Sequence, residues 1–120
     1  MQYRPTAEEL LGTIADLLGQ EVLDAVPGHL THRVRVAENL SRILQREAAL
    51  GPDADRQELE QLSTLLGHDG TLSELRTELS GRLRTSDDDQ FDRAAWEALV
   101  AITRADLAIA KPGHDAWEGE

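Results

Sequence analysis

The sequence predicts an all-α protein, a single-domain antiparallel helical bundle of about five helices. Three observations support this fold class. Gly and Pro divide the chain into helix-length segments, apolar residues recur within those segments at spacings of three and four, and no stretch alternates like a strand. A chain of 120 residues has the length of one ordinary domain. We therefore predict a helical domain over residues 1–112 and a polar tail over residues 113–120.

Helix 1 is predicted from about Ala7 to Ala25. Thr6 precedes its apolar pattern and Glu9 follows three residues later, which is the spacing of a capping box. Pro27 and Gly28 end the helix, since Pro cannot continue it and Gly favours a turn. A link this short makes helices 1 and 2 an antiparallel hairpin.

Two separate helices are predicted on either side of Gly51 and Pro52, because neither residue favours a helix interior. Helix 2 spans about Leu30 to Ala49, and helix 3 spans about Ala54 to Leu66. Helix 3 is polar on most of its circumference. We expect it to cover a core that helices 1, 2 and 5 form.

Helix 4 is predicted from about Leu72 to Arg84, with Thr71 and Glu74 as a second capping box. Helix 5 is predicted from about Gln90 to Ala110, and Pro112 ends it. Helix 4 has only a narrow leucine stripe. Because helices 3 and 4 leave leucines without obvious cover, we expect a homodimer or another partner to complete their burial.

Composition restricts the classes of partner. The chain has 12 Lys and Arg against 23 Asp and Glu, a net charge of −11, which opposes binding to nucleic acid or to an anionic membrane. It contains no Cys, which excludes a disulfide framework. Neither a targeting segment nor a membrane span is recognisable, so we expect a cytoplasmic protein.

A few polar residues interrupt the apolar stripes when each helix is projected at about 100° per residue. Glu21, Arg33, Glu47 and Asp106 fall inside the stripes and Asn39 lies at an edge, so these side chains are predicted to point inward. Ion pairing, as between Glu21 and Arg33, is the interpretation we favour. The alternative is that the carboxylates converge on a cavity and act as acid and base.

Motifs for cofactor binding or catalysis are not recognisable. His29 and His32 have a spacing that suits two zinc ligands, and Glu21 or His68 would have to supply a third. Without Cys, capping or surface roles are favoured for both histidines. Neither a His-Glu-x-x-His motif nor a Gly-rich phosphate loop occurs, so we predict no cofactor and favour a non-enzymatic role.

Helix 2 is the most basic element, with four arginines against two glutamates between residues 29 and 50. Arg35, Arg42 and Arg46 lie opposite its apolar arc. We favour a role for them in bridging to acidic neighbours. The alternative is that they receive a phosphate or a carboxylate.

Several segments together resemble an uncharacterised bacterial family, a domain of unknown function. They are residues 4–11 (RPTAEELL), 21–23 (EVL), 26–28 (VPG), 35–40 (RVAENL), 46–47 (RE) and 107–112 (LAIAKP). The resemblance covers nearly the whole chain. It implies a small helical protein often encoded beside an aminoglycoside-phosphotransferase-like kinase and an acyl-CoA dehydrogenase. Asp106 stands where the family pattern has a basic residue.

Two functions follow as expectations. The first is a non-catalytic interaction or accessory protein in an acyl-CoA-related pathway, which binds itself as a homodimer, a phosphotransferase-like protein, or both. The second is a module or enzyme that binds CoA or another phosphate-bearing ligand through the helix 2 arginines and the inward carboxylates. The five candidate binding residues lie on helix 2 and are Arg35, Asn39, Arg42, Arg46 and Glu47. All of them except Arg42 match the family motif.

Overall fold

The computed structural model describes residues 4–113, which contain helices and no strand. Helix α1 consists of an α-helical stretch, Ala7–Leu17, a π-helical turn, Leu18–Val22, and a last α-helical turn, Leu23–Ala25. A 3₁₀ turn, Gly28–Leu30, leads into the remaining helices of this range, which are α2, Thr31–Leu66; α3, Leu72–Thr85; and α4, Asp89–Ala110. Of the tail predicted over 113–120, all but Gly113 lies outside the described residues.

The prediction of an all-α protein is confirmed for the described residues, but the number of helices is wrong. Predicted helices 2 and 3 form a single helix, α2, and Pro52 lies inside it. Proline lacks the N–H that would bond to the carbonyl of Ala48, which costs a helix interior about 3 kcal/mol. The break was predicted from that local cost alone. The helix-forming segments on both sides outweigh it, so the described chain has four helices rather than five.

Both capping boxes are confirmed. The Glu9 N–H donates to Thr6 Oγ1 at 3.2 Å, and the Thr6 N–H donates to Glu9 Oε2 at 3.0 Å. Thr71 and Glu74 make the same exchange at the start of α3, at 3.1 and 3.4 Å. Each box satisfies backbone N–H groups that would otherwise have no partner in the helix, and so fixes where the helix begins.

The chain divides into two compact units. Among the described residues, unit 1 comprises residues 4–51 and Ile109–Lys111, and unit 2 comprises Pro52–Ala108 with residues 112 and 113. The division within α2 falls between Gly51 and Pro52. The helix Thr31–Leu66 continues across this division.

Unit 2 has a leucine core. Its buried members come from the C-terminal part of α2, from α3 and from α4, and are Leu62, Leu66, Leu75, Leu79 and Ala95. Partly buried apolar residues pack around them, among them Leu59, Leu83, Phe91 and Ile102. Predicted helices 3 and 4 therefore supply a core instead of covering one. The expectation that their leucines lack cover is wrong, because three helical segments together enclose them.

Unit 1 buries few apolar residues. Its buried apolar side chains in the described range are Ala15 and Ile109, which expose 0% and 7% of their surface. The large apolar residues of α1 and of the N-terminal part of α2 expose between 42% and 54%, and they are Leu10, Ile14, Leu17, Val36, Leu40, Leu44 and Leu50. The core expected from helices 1 and 2 is therefore not formed by these side chains.

None of the helices between residues 4 and 113 combines the length and the apolar composition needed to cross a bilayer.

Candidate functional site

Helices α1 and α2 meet in unit 1 through small residues on α1. Ala15 is completely buried, and a methyl group added at Gly12 would lie 2.8 Å from Nε2 of Gln45. One added at Gly19 would clash with the carboxylate of Glu38. Gly12, Ala15 and Gly19 recur at spacings of three and four, so they share one face of α1. That face lies against α2.

Polar contacts hold the rest of unit 1 together. Arg42 donates to Asp16 Oδ1 at 2.8 Å and lies 3.7 Å from Glu38 Oε1, so it bridges to acidic neighbours as predicted. Arg46 Nε donates to the carbonyl oxygen of Ile109 at 2.7 Å. The guanidinium groups of Arg42 and Arg46 are therefore committed to contacts within unit 1.

The α1 face is the exposed apolar surface formed by Leu10, Ile14 and Leu17. These residues recur at spacings of four and three and share one side of the helix. At about 100° per residue, that side is roughly half a turn around α1 from Gly12. Because Gly12 contacts α2, the α1 face is turned away from α2, and each of its side chains is about half exposed.

The α2 face is the corresponding surface formed by Val36, Leu40 and Leu44, at spacings of four. Leu40 lies two residues before Arg42 and so roughly half a turn from the side that bonds to α1. Its three side chains expose 42%, 54% and 53% of their surface. The α2 face is therefore a second apolar surface that the hairpin contact does not cover.

Opposite charges lie at the two ends of the α2 face. Arg33 precedes Leu40 by seven residues and Glu47 follows it by seven, so both lie close to the line of Val36, Leu40 and Leu44. Both are exposed. Within residues 4–113 neither side chain makes a hydrogen bond or an ion pair. The face thus ends in a cation on one side and an anion on the other, and neither pairs with a side chain of the described range.

The predicted inward orientation of Glu21, Arg33 and Asp106 is wrong, because all three are exposed in the structure. Glu47 and Asn39 are exposed as well. The apolar stripes were identified correctly, but those of α1 and α2 face away from the hairpin contact, so charges within them face outward too. A π-helical turn also contains one extra residue, which shifts the phase of Glu21 from a uniform projection.

The candidate binding residues of helix 2 are not joined by a common contact. Arg42 and Arg46 bind neighbours in unit 1, whereas Arg35, Asn39 and Glu47 have no polar partner in the described part of the chain. The predicted Glu21–Arg33 ion pair is not present there either.

The two histidines proposed as weak zinc ligands, His29 and His32, are exposed. No group of three or more possible metal-ligating side chains occurs between residues 4 and 113.

Sequence reasoning missed one buried charge in unit 2. Glu58 exposes 7% of its surface and accepts two hydrogen bonds from Arg76, from Nε to Oε1 and from Nη2 to Oε2, both at 2.7 Å. The hydrogen bond to Glu58 raises the pKa of Arg76 above its ordinary value. Glu58 precedes Leu62 by four residues and so interrupts a leucine stripe. The projection that selected Glu21 would have found Glu58 as well.

A partly open cavity of about 240 Å³ lies beside this ion pair. Its lining is mostly apolar and consists of Glu58, Leu62, Arg76, Leu79, Ser80, Leu83, Leu99 and Ile102. Elsewhere in unit 2, Trp96 on α4 exposes 65% of its surface. Because Arg76 already pairs with Glu58, the cavity offers apolar packing and no unpaired cation.

A family model described as a domain of unknown function, DUF6285, matches residues 24–114, which is more than half of the chain. The chain belongs to the DUF6285 family. No curated protein and no solved structure matches it. The α2 face lies within the part that matches the DUF6285 model, and the α1 face precedes it.

Proposed function

We propose that the chain is a non-catalytic interaction protein, an accessory subunit whose docking surfaces are the α1 face and the α2 face. The observation that carries this proposal is the exposure of six large apolar side chains on two helices whose mutual contact uses small and polar residues instead. Apolar patches of this kind on a soluble protein commonly mark protein–protein contacts.

The energetics favour a partner. Complete burial of a Leu or Ile side chain is worth about 1.5–3 kcal/mol, so covering a half-exposed one contributes roughly 1 kcal/mol. Unit 1 buries only Ala15 and Ile109 among its described apolar side chains. A partner helix laid on either face would bury side chains that the hairpin leaves exposed to water.

The positions of the polar residues support a non-catalytic role. Glu21 on α1 and Asp106 on α4 are both exposed, so neither has the buried environment that tunes a catalytic carboxylate. Arg42 and Arg46 have their guanidinium groups engaged within unit 1. Acid–base catalysis and phosphate binding both need such groups to converge on one open site.

A phosphotransferase-like protein is the partner we propose, in an acyl-CoA-related pathway of the cytoplasm. The family resemblance supplies this context. The net charge of −11 would steer the chain towards a basic patch on such a partner.

The proposal is tested by light-scattering mass on a sizing column, for the chain, for the phosphotransferase-like protein and for their mixture. We expect a mixed peak. Leu10→Lys or Leu17→Lys should weaken the complex at least about tenfold, which corresponds to about 1.4 kcal/mol. Gln20→Lys is the matched control, since it adds the same side chain to an exposed position of α1 outside the face. If no mixed peak forms, or if all three variants behave alike, an accessory role through the α1 face is refuted.

A further inference from the structure

The residues of the α2 face are spaced symmetrically along the helix on either side of Leu40. Val36 and Leu44 lie four residues before and after Leu40, and Arg33 and Glu47 lie seven residues before and after it. Seven residues are nearly two helical turns, so the end residues stay within about 20° of Leu40 around the helix. Each lies about 10 Å from Leu40 along the axis.

A two-fold axis through Leu40 would bring each residue opposite the one equally far on the other side. We propose that the α2 face binds the α2 face of a second copy of this chain, antiparallel, with Leu40 at the axis. Val36 then packs against Leu44 of the second copy, and Arg33 pairs with Glu47 of the second copy. The same contacts occur twice, as in any two-fold interface between identical chains.

The charges of Arg33 and Glu47 favour antiparallel over parallel pairing of the two α2 helices. Arg33 and Glu47 have opposite signs, both are exposed, and neither has a polar partner in the described part of the chain. Antiparallel pairing supplies each with its counter-ion. Parallel pairing would place Arg33 against Arg33 and Glu47 against Glu47, and like charges in an interface are unfavourable.

The choice of α2 also follows from the net charge. Two copies of a chain with charge −11 repel each other, so self-association needs a region where that repulsion is weak. Residues 29–50 contain four arginines and two glutamates, a net charge of +2, which makes this segment more basic than any other helix of the chain. This segment contains the whole α2 face.

The contact is short, about 20 Å from Arg33 to Glu47 along the helix, so we expect an affinity in the micromolar range that is typical of small interfaces. The proposal rests on the proposed function, because it takes the apolar faces of unit 1 as docking surfaces. It commits the α2 face to a second copy and leaves the α1 face for another partner.

Charge reversal tests the pairing. Sedimentation equilibrium should show wild-type dimers, and Arg33→Glu or Glu47→Arg alone should raise the dimer dissociation constant at least about tenfold, because each creates two like-charge pairs. The double variant Arg33→Glu/Glu47→Arg should return it to within about threefold of wild type, since both pairs are restored. An equimolar mixture of the two single variants should form mixed dimers more tightly than either variant dimerises alone. Arg35→Glu is the matched control, an exposed arginine on the opposite side of α2.

A cross-link tests the axis independently of charge. The chain has no Cys, so Leu40→Cys introduces a single thiol at the position expected to meet itself. Mild oxidation should convert this variant to a covalent dimer. Ile14→Cys, at a similarly exposed position on the α1 face, should oxidise at least about tenfold more slowly.

A wild-type chain that stays monomeric up to about 300 µM refutes the proposal, since micromolar pairing would be complete there. A dimer that neither charge variant weakens refutes it as well, as does a Leu40→Cys variant that cross-links no faster than Ile14→Cys. If circular dichroism shows that a single charge variant is unfolded, the double variant and the Leu40→Cys cross-link test the proposed pairing instead. If the chain alone is a monomer but forms a complex with the phosphotransferase-like protein, only the inference of a dimer is refuted. If the chain forms a dimer but no such complex, only the accessory role is refuted.

Discussion

Units 1 and 2 use similar leucine stripes in opposite ways. In unit 2 the stripes of three helical segments face one another, and Leu62 and Leu75 are 1% and 0% exposed. In unit 1 the helices meet through Gly12, Ala15 and Gly19, and the leucines remain on the far sides. The side of a helix that makes the contact, rather than its apolar content, therefore determines whether its leucines form a core or a surface.

The largest expected difference between the units is the cost of truncating a leucine. Leu75→Ala should lower the free energy of unfolding by about 2–5 kcal/mol, because it leaves a cavity in the core of unit 2. Leu40→Ala should lower it by less than about 1 kcal/mol, since the side chain is half exposed. Urea unfolding followed by circular dichroism, at concentrations below self-association, measures both. Equal losses would show that the units do not differ in packing.

The next difference concerns arginine ion pairs. Arg76→Ala leaves the carboxylate of Glu58 buried without its partner and should cost about 1–3 kcal/mol, less than for a wholly buried pair because Arg76 itself is more than half exposed. Arg42→Ala breaks a pair whose acceptor, Asp16, is exposed, and should cost less than about 1 kcal/mol. Urea midpoints of the two variants give the comparison. A larger loss of stability for Arg42→Ala than for Arg76→Ala would contradict this prediction.

Substitutions of two glycines by alanine should differ in their effect on stability. Gly81 lies in α3 with nothing within 4 Å of an added methyl group, so Gly81→Ala should stabilise the protein by about 0.5–1 kcal/mol through helix propensity. At Gly12 the same methyl group would lie 2.8 Å from Gln45, which must move, so we expect Gly12→Ala to gain less or to destabilise. Thermal unfolding of both variants is the measurement. A stabilisation by Gly12→Ala equal to that by Gly81→Ala would argue against close packing of α1 on α2.

The smallest expected effect is a pH dependence at His68 in unit 2. Its hydrogen bond to the carbonyl of Asp69 raises its pKa, and the carboxylate of Glu78, 2.7 Å from Nε2, raises it further. A histidine with a raised pKa in the folded state contributes its full stability below its ordinary value of about 6.5 and loses it as pH rises through the folded value. Urea midpoints should therefore fall slightly as pH rises through that window.

Proton NMR titration of His68 tests the cause. Glu78→Gln should lower the pKa of His68 and flatten the pH dependence, because it removes the negative charge. A titration curve that Glu78→Gln leaves unchanged would assign the raised pKa to the Asp69 carbonyl alone.

Local features of the fold could be predicted from the sequence. The capping boxes at Thr6 and Thr71 depend on residues three apart, so the local sequence pattern is sufficient to predict them. The predicted helix break at Pro52 is wrong, because the local free-energy cost of proline had to be compared with the stability of the helical segments on both sides. Periodicity found the apolar stripes of unit 1 but not whether another helix covers them, since that depends on which sides of α1 and α2 meet.

The candidate site was predicted only in part. Arg33 and Glu47 were recognised as charges within an apolar stripe, but they were assigned to the interior because such stripes usually face a core. Glu58 has the same pattern and is buried. The pattern is therefore the same in both units, and only the contacts between helices determine whether such a charge is buried in an ion pair or exposed on the surface.

The π-helical turn of α1 has a consequence for comparing relatives of this chain. Such a turn is an α-helix that has accommodated one additional residue. Deletion of Gln20 would restore a regular helix while the residues before and after it keep their positions. Alignments of relatives whose sequences extend over α1 should therefore place single-residue gaps inside this helix, where insertions and deletions are otherwise rarely tolerated.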